Sequence, residues 1–284
     1  MKWQGRRQSR NIEDRRGVRG GGAGIAGIGG VGALLVVVVG AFLGVDLTPL
    51  LQGGGGPVTQ TAPAELSQEE RAMGEFVAVT LADTEEIWAE IFRTELQQTY
   101  QPATLVLFSG ATQSGCGGAT AQTGPFYCPA DQKFYLDTQF FAVMERQLGA
   151  GGDFAAAYVV AHEVAHHVQN SLGILGEVNR VRQQVSEADS NALSVRVELQ
   201  ADCFSGVWAN HAQAQFGTLE RGDIEEAMNA AAQIGDDTLQ RNAGQRVQPE
   251  SFTHGTSAQR QDWFMAGYQS GDIGPCDTFG ASRL

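Results

Sequence analysis

Hydrophobic and polar positions divide the chain into four unequal stretches. Residues 23–45 form an unbroken uncharged run, AGIAGIGGVGALLVVVVGAFLGV. At 1.5 Å per residue a helix of that length spans the hydrocarbon core of a bilayer, and its glycines are tolerated there. The run is longer than the apolar part of a cleaved signal peptide and ends without a small-x-small cleavage site. One transmembrane helix is therefore predicted. Residues 1–22 are polar and rich in Arg and Gly, which predicts disorder. Residues 46–65 contain Gln52-Gly53-Gly54-Gly55-Gly56-Pro57 and predict a flexible linker. The folded domain is expected over residues 66–284.

Within that domain, Ser67-Gln68-Glu69-Glu70 and Asp83-Thr84-Glu85-Glu86 both fit a capping box. They predict two consecutive helices, 68–82 and 84–98. Residues 103–108, ATLVLF, read as a buried strand. Residues 110–124 are rich in Gly, Ser and Thr and read as loop. Short strands are predicted at 126–128 and 133–136. Asp137 is placed to cap a helix running to about residue 148. Residues 153–171 form an apolar helix that Asp153 can cap and Gly173 can end. Residues 177–216 have helical composition, a further helix runs from Asp223 to Gly235, and a last one from Thr256 to Gly271. The pattern is α+β, predominantly helical, with a small sheet.

The apolar helix carries the first candidate chemistry, His162-Glu163-x-x-His166. Positions i and i+4 lie on one helix face, so both imidazoles can reach one tetrahedral Zn²⁺. Glu163, beside the first His, can take the proton of a water activated by the metal. A Glu and two His in so apolar a helix cost several kcal/mol unless paired or metal-bound. A catalytic zinc takes three protein ligands and keeps one open position. Gln169 and Leu172 stand where a metzincin has Gly and its third His, so the ligand comes from elsewhere. Glu198 and Asp202 share one face of a stretch that includes Val195, Val197, Phe204, Val207 and Trp208. Glu198 fits the third ligand, and Asp202 fits an acceptor for an imidazole N–H, which fixes the tautomer. Glu187 and Asp189 are the alternative ligands, with more polar neighbours. His254, just before the last helix, could donate to the oxyanion of a tetrahedral intermediate, as could Arg260. His167 is turned ~100° from His166 and is read as structural, like His211.

Charge and cysteines then set the context. Of the formal charge of −13, residues 1–20 contribute +5, leaving −18 on the remainder. An acidic domain argues against a nucleic-acid partner. The Arg cluster before the apolar run orients it with the N-terminus in the cytoplasm, so the domain is expected outside the cell membrane. There the four Cys can form disulfides. Three connectivities are possible, and Cys116–Cys128 with Cys203–Cys276 is preferred. No C-x-x-C occurs, which disfavours a zinc site built from cysteines.

Several longer stretches carry a resemblance. H-E-V-A-H-H-V-Q at 162–169, E-L-Q-A-D-C-F-S-G-V-W-A at 198–209 and F-T-H-G-T-S-A-Q-R at 252–260 resemble the bacterial neutral zinc metallopeptidases. So do the opening M-K-W-Q-G-R-R-Q-S-R-N-I-E-D-R-R-G and G-P-F-Y-C-P-A-D-Q-K-F-Y-L-D at 124–137. The resemblance covers nearly the whole chain. It implies a zincin-like, gluzincin-type fold, with His162, His166 and Glu198 as zinc ligands and Glu163 as general base. The arrangement is also similar to membrane-associated peptidases that process prenylated proteins, whose later T-H-P segment places a His over the active site. Thr253-His254-Gly255 would be its counterpart, with Gly where those enzymes have Pro. A membrane-anchored zinc peptidase acting on a peptide or protein substrate is expected. The alternatives are a zinc-binding membrane scaffold without turnover and a zinc amidase acting on cell-wall peptides.

Overall fold

The computed structural model describes residues 1–17, 65–120, 123–282 and 284. The expected transmembrane helix and nearly all of the linker lie outside these residues. Among the described residues no helix is long and apolar enough to cross a membrane.

The fold is α+β and mostly helical. A first strand, β1 (Ile12–Asp14), precedes helix α1 (Gln68–Thr94). Strands β2 (Thr104–Phe108), β3 (Ala111–Ser114), β4 (Gly117–Thr120), β5 (Phe126–Cys128) and β6 (Lys133–Asp137) follow. Helices α2 (Gln139–Leu148), α3 (Asp153–Ser171), α4 (Ile174–Arg182), α5 (Glu187–Phe216), α6 (Asp223–Gln233), α7 (Asp236–Asn242) and α8 (Ser257–Ser270) complete the domain. One sheet has the order β1-β2-β6-β5, and β3-β4 form a separate hairpin. β1 and β2, and β2 and β6, are parallel, whereas β5 runs antiparallel to β6. The expected loop at 110–124 thus contains the β3-β4 hairpin, in which Ala119 alone is buried, so no apolar alternation shows in the sequence.

The two helices expected over 68–98 are a single helix. Asp83 and Glu85 do not cap a second start, because their carboxylates are taken by other residues. Arg6 bonds Asp83, and Arg7, Ser9 and Asn11 all donate to Glu85. These partners come from the segment expected to be disordered, which is ordered over residues 1–17. Trp3 packs edge-on against Phe76 with ring centroids 5.5 Å apart. β1 pairs in register with β2, Ile12 opposite Leu105 and Asp14 opposite Leu107. Met1 is buried, and its ammonium lies 2.7 Å from Asp153 Oδ1. The Arg-rich composition that reads as disorder instead provides counter-charges for buried acids.

Burial has a measurable consequence at Asp83. Desolvation raises its pKa from 3.8 to about 6 and outweighs the attraction of Arg6. The folded carboxyl therefore holds its proton to higher pH than the unfolded one, so stability falls as pH rises from about 4 to about 6. Asp83→Asn is expected to remove a loss of roughly 2 kcal/mol between about pH 4.5 and 7. Urea unfolding of both proteins across that range checks this, and parallel pH profiles would contradict it.

Helices α3 and α5 pack at the centre, with α8 laid against α5. The α5–α8 crossing is set by two glycines. A Cβ on Gly206 would sit 2.0 Å from the Phe264 carbonyl oxygen, and one on Gly267 would sit 1.9 Å from that of Cys203. No side chain fits there, so the two backbones touch. Both preferred disulfides form: Cys116–Cys128 ties β5 to the β3-β4 hairpin, and Cys203–Cys276 ties the C-terminal segment to α5. The second closes a separation of 73 residues, worth about 4 kcal/mol by chain entropy.

Candidate metal centre

Helix α3 is apolar on almost every side and sits in the core, with Ala155 to Ala157 and Val160 fully buried. Its start differs from the expectation. Gly152, at φ 111°, is the N-cap, and Asp153 lies within the first turn. The Phe154 N–H is capped instead by Glu226 of α6, at 3.0 Å. A carboxylate there suits the positive end of the helix dipole.

His162 and His166 project from one face of α3, and their rings pack 4.8 Å apart. Glu198 comes from α5. One donor atom from each of the three lies within 4.8 Å of the others. Glu198 Oε2 is 3.1 Å from His162 Nε2, and Oε1 is 3.5 Å from His166 Nε2. The Nδ1 atoms are committed elsewhere. His162 Nδ1 donates to Asp202 Oδ1 at 3.0 Å, and His166 Nδ1 donates to Gln169 Oε1 at 2.9 Å. Each acceptor leaves its Nε2 free to face Glu198. The alternative ligands Glu187 and Asp189 lie in the exposed first turn of α5, with Asp189 bound to the capping Ser186.

Zinc suits these residues. Two imidazole nitrogens and one carboxylate form a donor set that leaves a position open. The centre also demands a positive charge. Burial alone would lower the His162 pKa, but its hydrogen bonds to Asp202 and Glu198 raise it to about 10. The Glu198 carboxyl, despite burial, is held well below the usual range by His166 and His162. Glu163 lies beside the cluster, and its Oε2 is buried without a hydrogen-bond partner among the described residues. Burial raises its pKa against the pull of both histidines. A buried carboxylate oxygen with no protein partner needs a proton or a water.

Asp202 is fully buried and holds more than one imidazole. It accepts from Tyr158 Oη at 2.5 Å, from Arg260 Nε at 2.8 Å and from Arg260 Nη2 at 3.0 Å. Arg260, 1% exposed, also reaches the Tyr158 oxygen at 3.2 Å. Arg260, expected as a possible oxyanion donor, commits its Nε and Nη2 to Asp202. The Gly206–Gly267 contact brings α8 close enough for that fork to form. Tyr158, one turn before His162 on the same face, is the residue whose role the sequence hid.

His162, Glu163, His166 and Glu198 line a cavity of about 440 Å³, and His254, on the loop before α8, lies on its wall. Asp236 holds the loop. Its Oδ2 accepts the backbone N–H groups of Thr253, His254 and Gly255 at 2.8, 2.6 and 3.0 Å. Its Oδ1 lies 3.2 Å from His254 Nδ1, which leaves Nε2 for the cavity. Burial lowers the His254 pKa, but Asp236 and Glu198 raise it more. Gly255 has φ 92°, a value proline cannot adopt, so the loop departs from a T-H-P backbone. Asp236 was unassigned in the sequence, being 18 residues from its partner. His167 and His211 are structural: His167 bonds Tyr127 Oη and the Gln101 carbonyl, and His211 the Gly271 carbonyl.

Residues 1–279 match the model of a family described as "Putative neutral zinc metallopeptidase". The chain belongs to this family. It is 50% identical over 290 residues to "Uncharacterized protein YpfJ" of Escherichia coli (strain K12), covering 99% of this chain and 100% of that protein. It is also 50% identical over 188 residues to "Uncharacterized protein Rv2575" of Mycobacterium tuberculosis (strain ATCC 25618 / H37Rv), covering 63% of this chain and 62% of that one. No solved structure matches the chain. Family membership reaches into the N-terminal arm, in keeping with its packing on the domain.

Proposed function

We propose that the chain is a zinc-dependent peptidase of zincin type, attached to the cell membrane through residues 23–45 and working outside the cytoplasm. The observation that carries this reading is the set His162, His166 and Glu198 within 4.8 Å, with Glu163 beside it, its Oε2 buried and unpartnered among the described residues. The two disulfides favour an oxidising compartment. Zinc held by the three ligands would supply a Lewis acid that makes a water acidic near neutral pH.

The chain's own groups account for the remaining steps. Glu163 takes the proton of the attacking water and later delivers it to the leaving amine. Its raised pKa suits both duties. His254 donates a hydrogen bond to the developing oxyanion, with Asp236 fixing its ring. Strand β5, at one end of the sheet order, lines the cavity through Phe126 and Tyr127. An extended peptide can pair with such an edge, which places a backbone carbonyl in the cleft.

The test is proteolysis of unfolded protein and peptidoglycan by the purified full chain, before and after chelation. Cleavage of protein that stops with the chelator and returns with stoichiometric zinc supports the reading. Cleavage of cell-wall peptides alone would move the chain to the amidases. A second expectation concerns His254. Its replacement by Gln should lower kcat by about 10²–10³-fold with little change in KM. An unchanged kcat would remove His254 from the mechanism.

A further inference from the structure

The N-terminal arm and the domain are joined through backbone and charge alike. β1 is a strand of the main sheet, hydrogen-bonded to β2. Lys133 of β6 pairs with Glu13. Arg15 donates to Thr112 Oγ1 at 3.0 Å and to the Gln113 carbonyl at 3.0 Å. Ser9 is buried, and its N–H donates to the Ala78 carbonyl at 2.9 Å. Asp83, 4% exposed, has Arg6 as its counter-charge. An arm removed from this surface would leave Asp83 and Glu85 without their partners.

The arm also fixes where the chain leaves the domain and where it returns. Arg16, whose side chain is 6% exposed, donates to the Glu70 carbonyl in the first turn of α1. Gly74, one turn on, has no side chain where that guanidinium lies. Arg16, the residue before Gly17, is thereby tied to the first turn of α1, five residues after Glu65.

A bilayer cannot fit between two hydrogen-bonded strands. Its hydrocarbon core is about 30 Å thick, and neighbouring strands lie about 4.8 Å apart. Twenty-three apolar residues suffice for one crossing, whereas leaving and returning would need about forty. We infer that residues 1–17 and 65–284 lie on the same side of the membrane. This places the Arg-rich arm with the peptidase domain rather than across the membrane from it. An arm lent by a second copy would obey the same constraint. The inference rests on the membrane attachment proposed above.

The experiment uses the full chain in native membranes. Gln8 and Gln184 are exposed, and the four native cysteines are in disulfides. Single variants Gln8→Cys and Gln184→Cys are labelled with a membrane-impermeant maleimide in right-side-out and inverted vesicles. Labelling of both in the same preparation is expected. Labelling of one in each preparation would overturn the inference. Carbonate extraction runs in parallel. If it strips the protein from the membrane, the attachment reading fails, and arm docking is then read from Ile12→Cys/Leu105→Cys. These positions are opposite one another in the β1–β2 register. Disulfide formation in the double variant supports docking, and its absence after mild oxidation overturns it.

Discussion

Glu163→Gln is expected to lower kcat/KM by about 10²–10⁴-fold, the range a positioned general base contributes. That corresponds to roughly 3–5 kcal/mol of barrier. Gln keeps the shape of Glu and leaves His162, His166 and Glu198 in place, so zinc content should stay at one per chain. The amide cannot accept a proton, and its NH₂ would face a site arranged around a carboxylate. Paired measurements of peptide hydrolysis and metal content decide the matter. Full activity with zinc bound would exclude Glu163 as the base. Equal losses of metal and activity would instead make it a structural residue of the centre.

Asp202→Ala should produce the second large effect, on two quantities at once. The change leaves the Arg260 guanidinium buried beside Tyr158 without its counter-charge, and breaking a buried pair in this way costs about 3–5 kcal/mol. It also frees the His162 imidazole, and losing such an acceptor weakens metal affinity by about 10–100-fold. The two effects separate in the double variant Asp202→Ala/Arg260→Met. Removing the orphaned cation should restore much of the stability, whereas zinc affinity should stay low because His162 still lacks its acceptor. Urea unfolding and chelator competition read them independently. Recovery of zinc affinity in the double variant would show that Asp202 matters only through Arg260.

The centre was legible because its spacing is local. His162 and His166 are one helical turn apart, and so are Glu198 and Asp202, so each pair reports its shared face before any fold is known. Helix α8 was expected to start at Thr256, and Thr256 and Gln259 form a capping box there. What could not be read were contacts between distant residues of unremarkable type. Arg260 reads only as a possible oxyanion donor until the Gly206–Gly267 crossing brings it to Asp202, 58 residues away. Asp83 and Glu85 imitate a helix start because a capping carboxylate and an ion-pairing one are the same group. Gln169 marked only the absence of a metzincin motif, although its place three residues after His166 is what lets it hold that ring. The arm was misread for a related reason. Composition reports how much apolar surface a segment can bury, not whether acids elsewhere await its arginines.

The arm's position in the sequence also sets a timetable for folding. Residues 1–17 leave the ribosome first, yet the surface that receives them is completed much later. Asp153, which receives the Met1 ammonium, follows it by 152 residues. At about 5–20 residues per second, this is a delay of roughly 8–30 s. The apolar stretch 23–45 emerges early in that interval, before β2 or α3 exists. The arm is therefore held in waiting until the sheet that receives it is complete, by which time the apolar stretch has already met its surroundings.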